Sequence, residues 1–393
     1  MKKIIVAYFI YLIIIWSYFL YFYPLQSFSN SNYAAFAHAV YFSKLPMEWI
    51  LLYGLYKSVS GRTLLEKLQA SARLEWLKVV LFSLVVVVLY GLIRFPFNLL
   101  WYRKTHIEGT SRQPFHDWLF EMSLDLMFYW VILSLGLVVI RLFMAKFNRM
   151  WWFFLWLVVL PATVFVVYIQ PVWIDPLYED YNEMEEGPLK SKIESFVDQV
   201  GLEDATLLQV NMSEKVTTFN AYVTGIFGNA RIVLWDTTLN GMEQDEIMFI
   251  LAHEIGHYVK HHVYLGVAGY LVFSFFLFYL GAFIYRRILR SHSKFSNQRD
   301  LRVIPLLLLT VSLLSTAAQP ISMYVSREIE RSADEYAIAH TENLDSAIQS
   351  YQRLAIQSKS DINPVFWVKW IRYSHPPTLE RMELVEQERM KRE

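Results

Sequence analysis

The chain has no cysteine. That excludes disulfides, thiolate metal sites and cysteine nucleophiles, so any metal must be held by histidine and carboxylate. It leaves the redox compartment open, because a cysteine-free chain suits either side of a membrane. Charge is also scarce. Only 18% of the 393 residues are charged, against about 25% in ordinary soluble domains, whereas 55% are hydrophobic and 17% aromatic. This composition indicates an integral membrane protein with one substantial polar region. The 36 basic and 36 acidic residues cancel, so net charge gives no support for an acidic or nucleic-acid partner. Internal repeats and long low-complexity tracts are absent from the sequence.

Long apolar runs are abundant. A spanning helix needs about 20 mostly apolar residues, and residues 4–23, 77–101, 123–143, 151–173, 263–285 and 303–324 meet that requirement. A weaker stretch, 39–56, contains Lys44, Pro46 and Glu48 and reads either as a further span or as a re-entrant or interfacial helix. Six or seven spans are therefore expected. The first run follows Met1-Lys2-Lys3, is too long for a signal-peptide core and lacks a small-residue cleavage site, so it reads as a retained anchor. Residues 61–77, with Arg62, Glu66, Lys67, Arg73 and Glu75, read as a solvated amphipathic connector. Arg94 and Pro96 interrupt the second run. A mid-membrane charge costs about 2.5–3.5 kcal/mol on insertion scales, so either Arg94 faces the bundle interior or the helix ends beside it at the interface.

Composition changes after Trp173. Asp175-Pro176 and the acidic run 179–186 read as a linker, and Gly187-Pro188 opens an amphipathic helix with Leu189, Ile193, Phe196 and Val197 on one face. Strand-like segments follow at 206–210, 219–226 and 230–235, the last two joined as a hairpin around Gly228-Asn229. An exposed strand edge here suits an extended peptide bound by backbone hydrogen bonds.

Residues 242–262 read as one helix, with Ile247, Ile250, Leu251 and Ile255 available for packing, and they carry His253-Glu254-Ile255-Gly256-His257. One turn separates the histidines, so both imidazoles project from one face toward a shared metal, with Glu254 placed to activate a water. This is the pattern of a zinc peptidase helix. The bland alternative is a solvated His/Glu turn at a membrane edge beside His261 and His262, and a third ligand decides between them. A catalytic zinc takes three protein ligands and keeps a fourth position open. Glu330 follows the last apolar run as that ligand, and Asp334 one turn later can accept the free N–H of a ligating histidine. Ala333 and Ala337 are small enough for close helix approach. Because His257 precedes the 263–285 run by only one or two turns, the site should lie close to the membrane.

Four motifs together resemble the type I CAAX prenyl endopeptidases, a family of multispanning zinc metallopeptidases. They are His-Glu-Ile-Gly-His at 253–257, Ser-Arg-x-x-Glu-x-x-x-Asp at 326–334, Asn220-Ala221-Tyr222 ahead of Arg231-Ile-Val-Leu-x-Asp236, and Tyr373-Ser-His-Pro-Pro377. The resemblance is specific over 175–381 and architectural before that. It implies a mainly α membrane protein, with six or seven transmembrane helices around a chamber and a small α+β gluzincin-like zinc domain facing inward at one end. It further implies Zn2+ as cofactor, and Asn220 and His375 as contacts to the substrate backbone or stabilisers of the oxyanion. The implied partners are a peptide or protein substrate, prenylated or membrane-bound, and the lipid bilayer, with no nucleic acid. The expected location is the cell membrane, as a multi-pass protein. The expected division is transmembrane helices over 1–174, a first catalytic segment with the hairpin and the histidine helix over 175–262, two transmembrane helices over 263–325, and a second catalytic segment with the third ligand and the C-terminal tail over 326–393.

Two departures stand out. The family's Glu-x-x-Gly-Phe-Asn loop is matched here only by His106-Ile-Glu-Gly109-Thr-Ser-Arg-Gln113, and the insert that many relatives carry before the zinc helix is missing. Likeness places the zinc domain on the cytosolic side. With seven spans, however, the positive-inside rule favours the opposite side, with Lys2-Lys3, 57–78, 141–149 and 286–302 all cytoplasmic, and six spans would reverse this. Within the peptidase reading, a CAAX-type protease stands beside a quality-control protease of misfolded membrane proteins. Outside it stand a non-catalytic bundle whose zinc is closed by a fourth ligand such as His261 or His262, and a metal-dependent lipid enzyme with no use for a strand edge.

Overall fold

The computed structural model describes residues 1–70, 74–202, 204–225, 230–291 and 297–393. Apolar runs in a bilayer form helices because every backbone group must find its partner within the segment. The first half holds α1 (Lys2–Ser17, prolonged by a π turn over Tyr18–Phe22), α2 (Tyr33–Lys44), α3 (Met47–Lys57), α4 (Val59–Ala70), α5 (Glu75–Ile107), α6 (Phe115–Phe147) and α7 (Trp151–Ile169). There follow β1 (Tyr181–Glu183), α8 (Pro188–Gln199), β2 (Thr206–Val210), β3 (Ala221–Thr224), β4 (Arg231–Trp235), α9 (Asp236–Gly241) and α10 (Gln244–Val259). The chain closes with α11 (His262–Ser291), α12 (Ile304–Ala339), α13 (Leu344–Ser358), α14 (Phe366–Arg372) and α15 (Thr378–Arg392).

Among the described residues six helices are long and apolar enough to cross a membrane: α1, α5, α6, α7, α11 and α12. The weak stretch 39–56 is divided between α2 and α3, which meet at Leu45-Pro46, where proline removes a backbone donor. The two run end to end, antiparallel to α1. The Tyr23 ring meets His38, Tyr11 and Tyr8 donate to the carbonyls of Phe42 and Ser43, and Met1 packs against Gly54. The 61–77 connector is only half solvated, since Leu65 of α4 is buried against Leu52 and Phe82, and its Arg73 lies outside the described residues.

Helix α5 does not stop at Arg94 but runs through Pro96 to Ile107. The Arg94 guanidinium lies 4.8 Å from the Tyr90 ring centroid and is attracted by the Glu48 carboxylate, so it is half-buried among polar groups of the bundle. Beside this cluster the helices enclose a cavity of 470 Å³, apolar except for groups such as Glu48, Tyr129 and Ser312.

The polar region is built on a four-stranded sheet in the order β1-β2-β4-β3. The acidic linker contains β1, antiparallel to β2, which was not expected of it. Strands β2 and β4 are parallel, and β3 pairs antiparallel with β4 in the register Tyr222↔Val233. The hairpin turn Gly228-Asn229 lies outside the described residues. Ile193 and Val197 of α8, Ile232 and Leu234 of β4, and Ile247, Leu251 and Ile255 of α10 form one core, which presses α10 against the sheet.

Candidate metal centre and active site

Helix α10 begins at a capping box, in which Glu243 and Glu246 each satisfy a backbone N–H of the other's turn. Glu246 is fully buried and also accepts from Arg353 Nε at 3.1 Å. The helix was expected to reach residue 262 but ends at Val259. His261 takes φ 56°, the left-handed conformation that breaks a helix, and α11 starts afresh at His262. Lys260 closes the end by donating to the Ser332 carbonyl at 2.8 Å and its hydroxyl at 2.9 Å, which ties α10 to α12.

Helix α12 is one element of 36 residues running from the bundle into the catalytic half. It packs along α10 through Ala333 and Ala337, both fully buried, and opposite them Gly256 faces the Tyr336 ring. This close approach brings Glu330 to the histidine pair. Nε2 of His253 lies 3.2 Å from Nε2 of His257, and the two nitrogens lie 3.3 and 3.6 Å from Oε2 of Glu330. Tetrahedral zinc with bonds of about 2.0–2.1 Å sets its ligand atoms about 3.3 Å apart, so the donor set and its spacing fit the ion. Oε2 of Glu330 is also buried without a hydrogen-bond partner among the described residues. Such an atom is costly unless a cation takes its lone pairs.

The partners behind this cluster fix it. Nδ1 of His253 lies 2.8 Å from Oδ1 of Asp334, the distance of an imidazole N–H donating to a carboxylate, which turns Nε2 toward the cluster. Asp334 is buried and also accepts from Tyr351 Oη at 2.8 Å, Arg381 Nε at 2.9 Å and Arg381 Nη2 at 2.5 Å. The Arg381 guanidinium lies 4.3 Å from the Tyr351 ring centroid. Nδ1 of His257 lies 3.1 Å from Nδ1 of His262, so His262 backs the second histidine from outside the cluster. Burial alone would lower the His253 imidazole, but Asp334 and Glu330 outweigh it and raise it to about 9. Burial pushes the Glu254 carboxyl up, against the pull of His253 and His257.

His375 sits between α14 and α15, with Nε2 3.2 Å from Oε2 of Glu330 and its side chain 56% exposed, so it faces the open side of the cluster. Asn220 lies just before the edge strand β3. Its backbone is fixed by Thr238 and Trp235 while its side chain is exposed. The loop at 106–113 docks on the catalytic half, where Arg112 N–H donates to the Lys215 carbonyl at 2.8 Å and Ser111 bridges to Val216.

Sequence reasoning missed Arg381, Tyr351 and the backing role of His262. Arg381 is one of many charges on α15, and only its spacing after His375-Pro376-Pro377 distinguishes it. Among the described residues the group that could hold a metal is His253, His257 and Glu330, whose ligand atoms lie within 4.8 Å of one another, and neither His261 nor His262 belongs to it.

Residues 183–389 match Peptidase family M48, and residues 26–180 match CAAX prenyl protease N-terminal, five membrane helices. The chain belongs to peptidase family M48. It is 36% identical over 360 residues to the uncharacterized metalloprotease YhfN of Bacillus subtilis (strain 168), covering 91% of this chain and 84% of that one. It is 30% identical over 298 residues to CAAX prenyl protease 1 of Saccharomyces cerevisiae, covering 70% of this chain and 64% of the relative. The crystal structure of S. mikatae Ste24p superposes with a TM-score of 0.70 at 25% identity, over 88% of this chain and 81% of that one. The chain is thus a multi-pass membrane metalloendopeptidase with a chamber-type helical bundle.

Proposed function

We propose that the protein is a zinc endopeptidase of the CAAX type, cutting a membrane-bound or prenylated protein near its C-terminus. The observation that carries this reading is the His253, His257 and Glu330 cluster, whose ligand atoms lie within 4.8 Å of one another, on helices that continue into or run beside an apolar bundle. His253, His257 and Glu330 would hold the zinc, and Asp334 would orient His253. When bound, zinc supplies Lewis-acid polarisation and brings the pKa of a water to about 7. Glu254 would take a proton from the attacking water as the water oxygen bonds to the peptide carbonyl carbon. The same carboxyl then gives the proton to the leaving nitrogen as the C–N bond breaks, a role its raised pKa suits.

His375, exposed beside Glu330, would donate to the developing oxyanion, and Asn220 would hold the substrate backbone at the edge of β3. The open edge of β3 is adjacent to α10 through their shared core, so an extended peptide added there runs past the metal helix. The catalytic machinery accordingly divides into 175–262 and 326–393, with 1–174 and 263–325 forming the bundle.

The test is zinc content together with cleavage of a fluorogenic peptide, with and without a farnesyl group, by detergent-purified wild type and Glu254→Gln. Stoichiometric zinc in both, with cleavage by wild type alone, is expected, and turnover should favour the farnesylated peptide. Retained cleavage in Glu254→Gln would sink the mechanism. Indifference to the prenyl group would shift the reading to general proteolysis of membrane proteins.

A further inference from the structure

The far end of α11 carries a second feature that the peptidase chemistry does not use. Arg286 lies about 36 Å along the helix from His262, at about 1.5 Å per residue. There α11 meets the turn between α6 and α7, and the two enclose a pocket of 910 Å³ lined by Arg149, Arg286, Arg287, Arg290, Tyr279 and Phe283 among others. Its shape is held from several sides. Arg286 donates to the Arg149 carbonyl, Gln298 Nε2 donates to the Asn148 carbonyl at 3.1 Å, and Tyr285 Oη donates to the Gln298 carbonyl at 2.9 Å.

Among the described residues the charges in this pocket have no carboxylate partners. The sequence contains no Asp or Glu between Asp125 and Asp175, nor between Glu254 and Asp300, and Asp300 is itself forked onto Arg302. None of the four arginines pairs with a carboxylate among the described residues, and the fully charged groups that act on Arg286 are Arg290 and Arg149. Four arginines around one concavity, with Arg149, Arg287 and Arg290 exposed, raise a positive potential there that favours an anion. A topology signal needs only basic residues somewhere on the loop. It does not require them to line a pocket whose other wall is aromatic.

We propose that this pocket binds the headgroup of an anionic phospholipid, with the phosphate held between guanidiniums and the acyl chains lying along α11. Planar guanidinium matches phosphate oxygens two at a time, and basic pockets between transmembrane helices are suited to anionic headgroups. A lipid fits better than a free anion because the apolar wall continues outward. Tyr279 and Phe283 are 44% and 49% exposed, and Phe276 and Leu280, one turn back, are exposed on the same helix.

The experiment is native mass spectrometry of the full chain released from vesicles containing equal phosphatidylglycerol and phosphatidylcholine. A retained phosphatidylglycerol, favoured by about tenfold or more, is expected, and that preference should be lost in Arg149→Gln/Arg287→Gln/Arg290→Gln. Arg286 is left intact because it ties the turn. A control that removes as many charges elsewhere, Lys57→Gln/Arg62→Gln/Lys67→Gln, should keep the preference. Equal loss in both triple variants, or no preference in wild type, overturns the proposal. So does displacement of the lipid by millimolar inorganic phosphate, which would mark a free-anion site. Should the triple variant fail to fold, hydrogen exchange on wild type decides. Residues 284–291 should be protected in phosphatidylglycerol nanodiscs relative to phosphatidylcholine ones, and unchanged exchange there counts against the site.

Discussion

On the proposed reading Asp334 has two jobs that mutation can separate. Its carboxylate orients His253 through the 2.8 Å contact at Nδ1, and it neutralises Arg381 through a two-pronged pair at 2.9 and 2.5 Å. Charges about 4 Å apart attract by about 4 kcal/mol at an effective dielectric of about 20. Removing one member of a buried pair costs about 3–5 kcal/mol, because the other is left unpaired. Asp334→Ala should therefore lower the stability of the metal-free protein by that amount, and also lower zinc affinity by about 10–100-fold through loss of the orienting bond. In Asp334→Ala/Arg381→Met the stranded charge is gone, and the methionine stem still covers the Tyr351 ring. Most of the stability should return, while zinc affinity stays low. Thermal unfolding without metal reads the first quantity, and chelator competition reads the second. If the double variant regains zinc affinity along with stability, Asp334 acts on the site only through charge balance, and the orienting role argued from geometry is wrong.

How far the sequence announced this structure depends on whether a feature is local. Strand β2 falls on 206–210 as its β-rich run suggests, and the apolar face at Leu189, Ile193, Phe196 and Val197 packs into the catalytic core as its spacing requires. His253, His257 and Glu330 converge because two helical periodicities, each readable alone, meet where Ala333, Ala337 and Gly256 let the helices touch. Features set by tertiary neighbours were readable only as one of two alternatives, as with Arg94, or not at all. Pro96 does not stop α5, because flanking helices can satisfy what proline leaves open, and Arg94 does not mark the end of the helix, because its guanidinium lies over the Tyr90 ring within the field of Glu48. The end of α10 depends on one left-handed residue, His261, in a run whose composition reads as continuous helix. Arg381 was invisible for the same reason. Its importance lies in reaching Asp334 across 47 residues, which no window of sequence contains.

Gly256→Ala would place a Cβ 3.0–3.2 Å from the Tyr336 side chain, including its own Cβ, which cannot swing away. Overpacking costs about 1–3 kcal/mol, against about 1 kcal/mol gained in helix propensity. A net loss of stability with weakened zinc binding is expected in chelator titrations, and wild-type values in both would show that α12 yields freely. Glu108, just beyond α5, accepts from Lys104 and Lys359 at 2.7 Å each and so ties the bundle to the C-terminal half. Burial would raise its carboxyl, but the two ammonium groups outweigh that and bring it from 4.5 down to about 2. Because the folded value lies below the unfolded one, its contribution is complete above about pH 4.5 and disappears as pH falls to about 2. Glu108→Gln should therefore cost about 1–2 kcal/mol at neutral pH, scaled down from a charged hydrogen bond because the amide still accepts weakly. The thermal unfolding curves of variant and wild type should converge as the buffer is acidified through that window. A constant gap down to the acid end would mean that Glu108 contributes through packing and not through its charge.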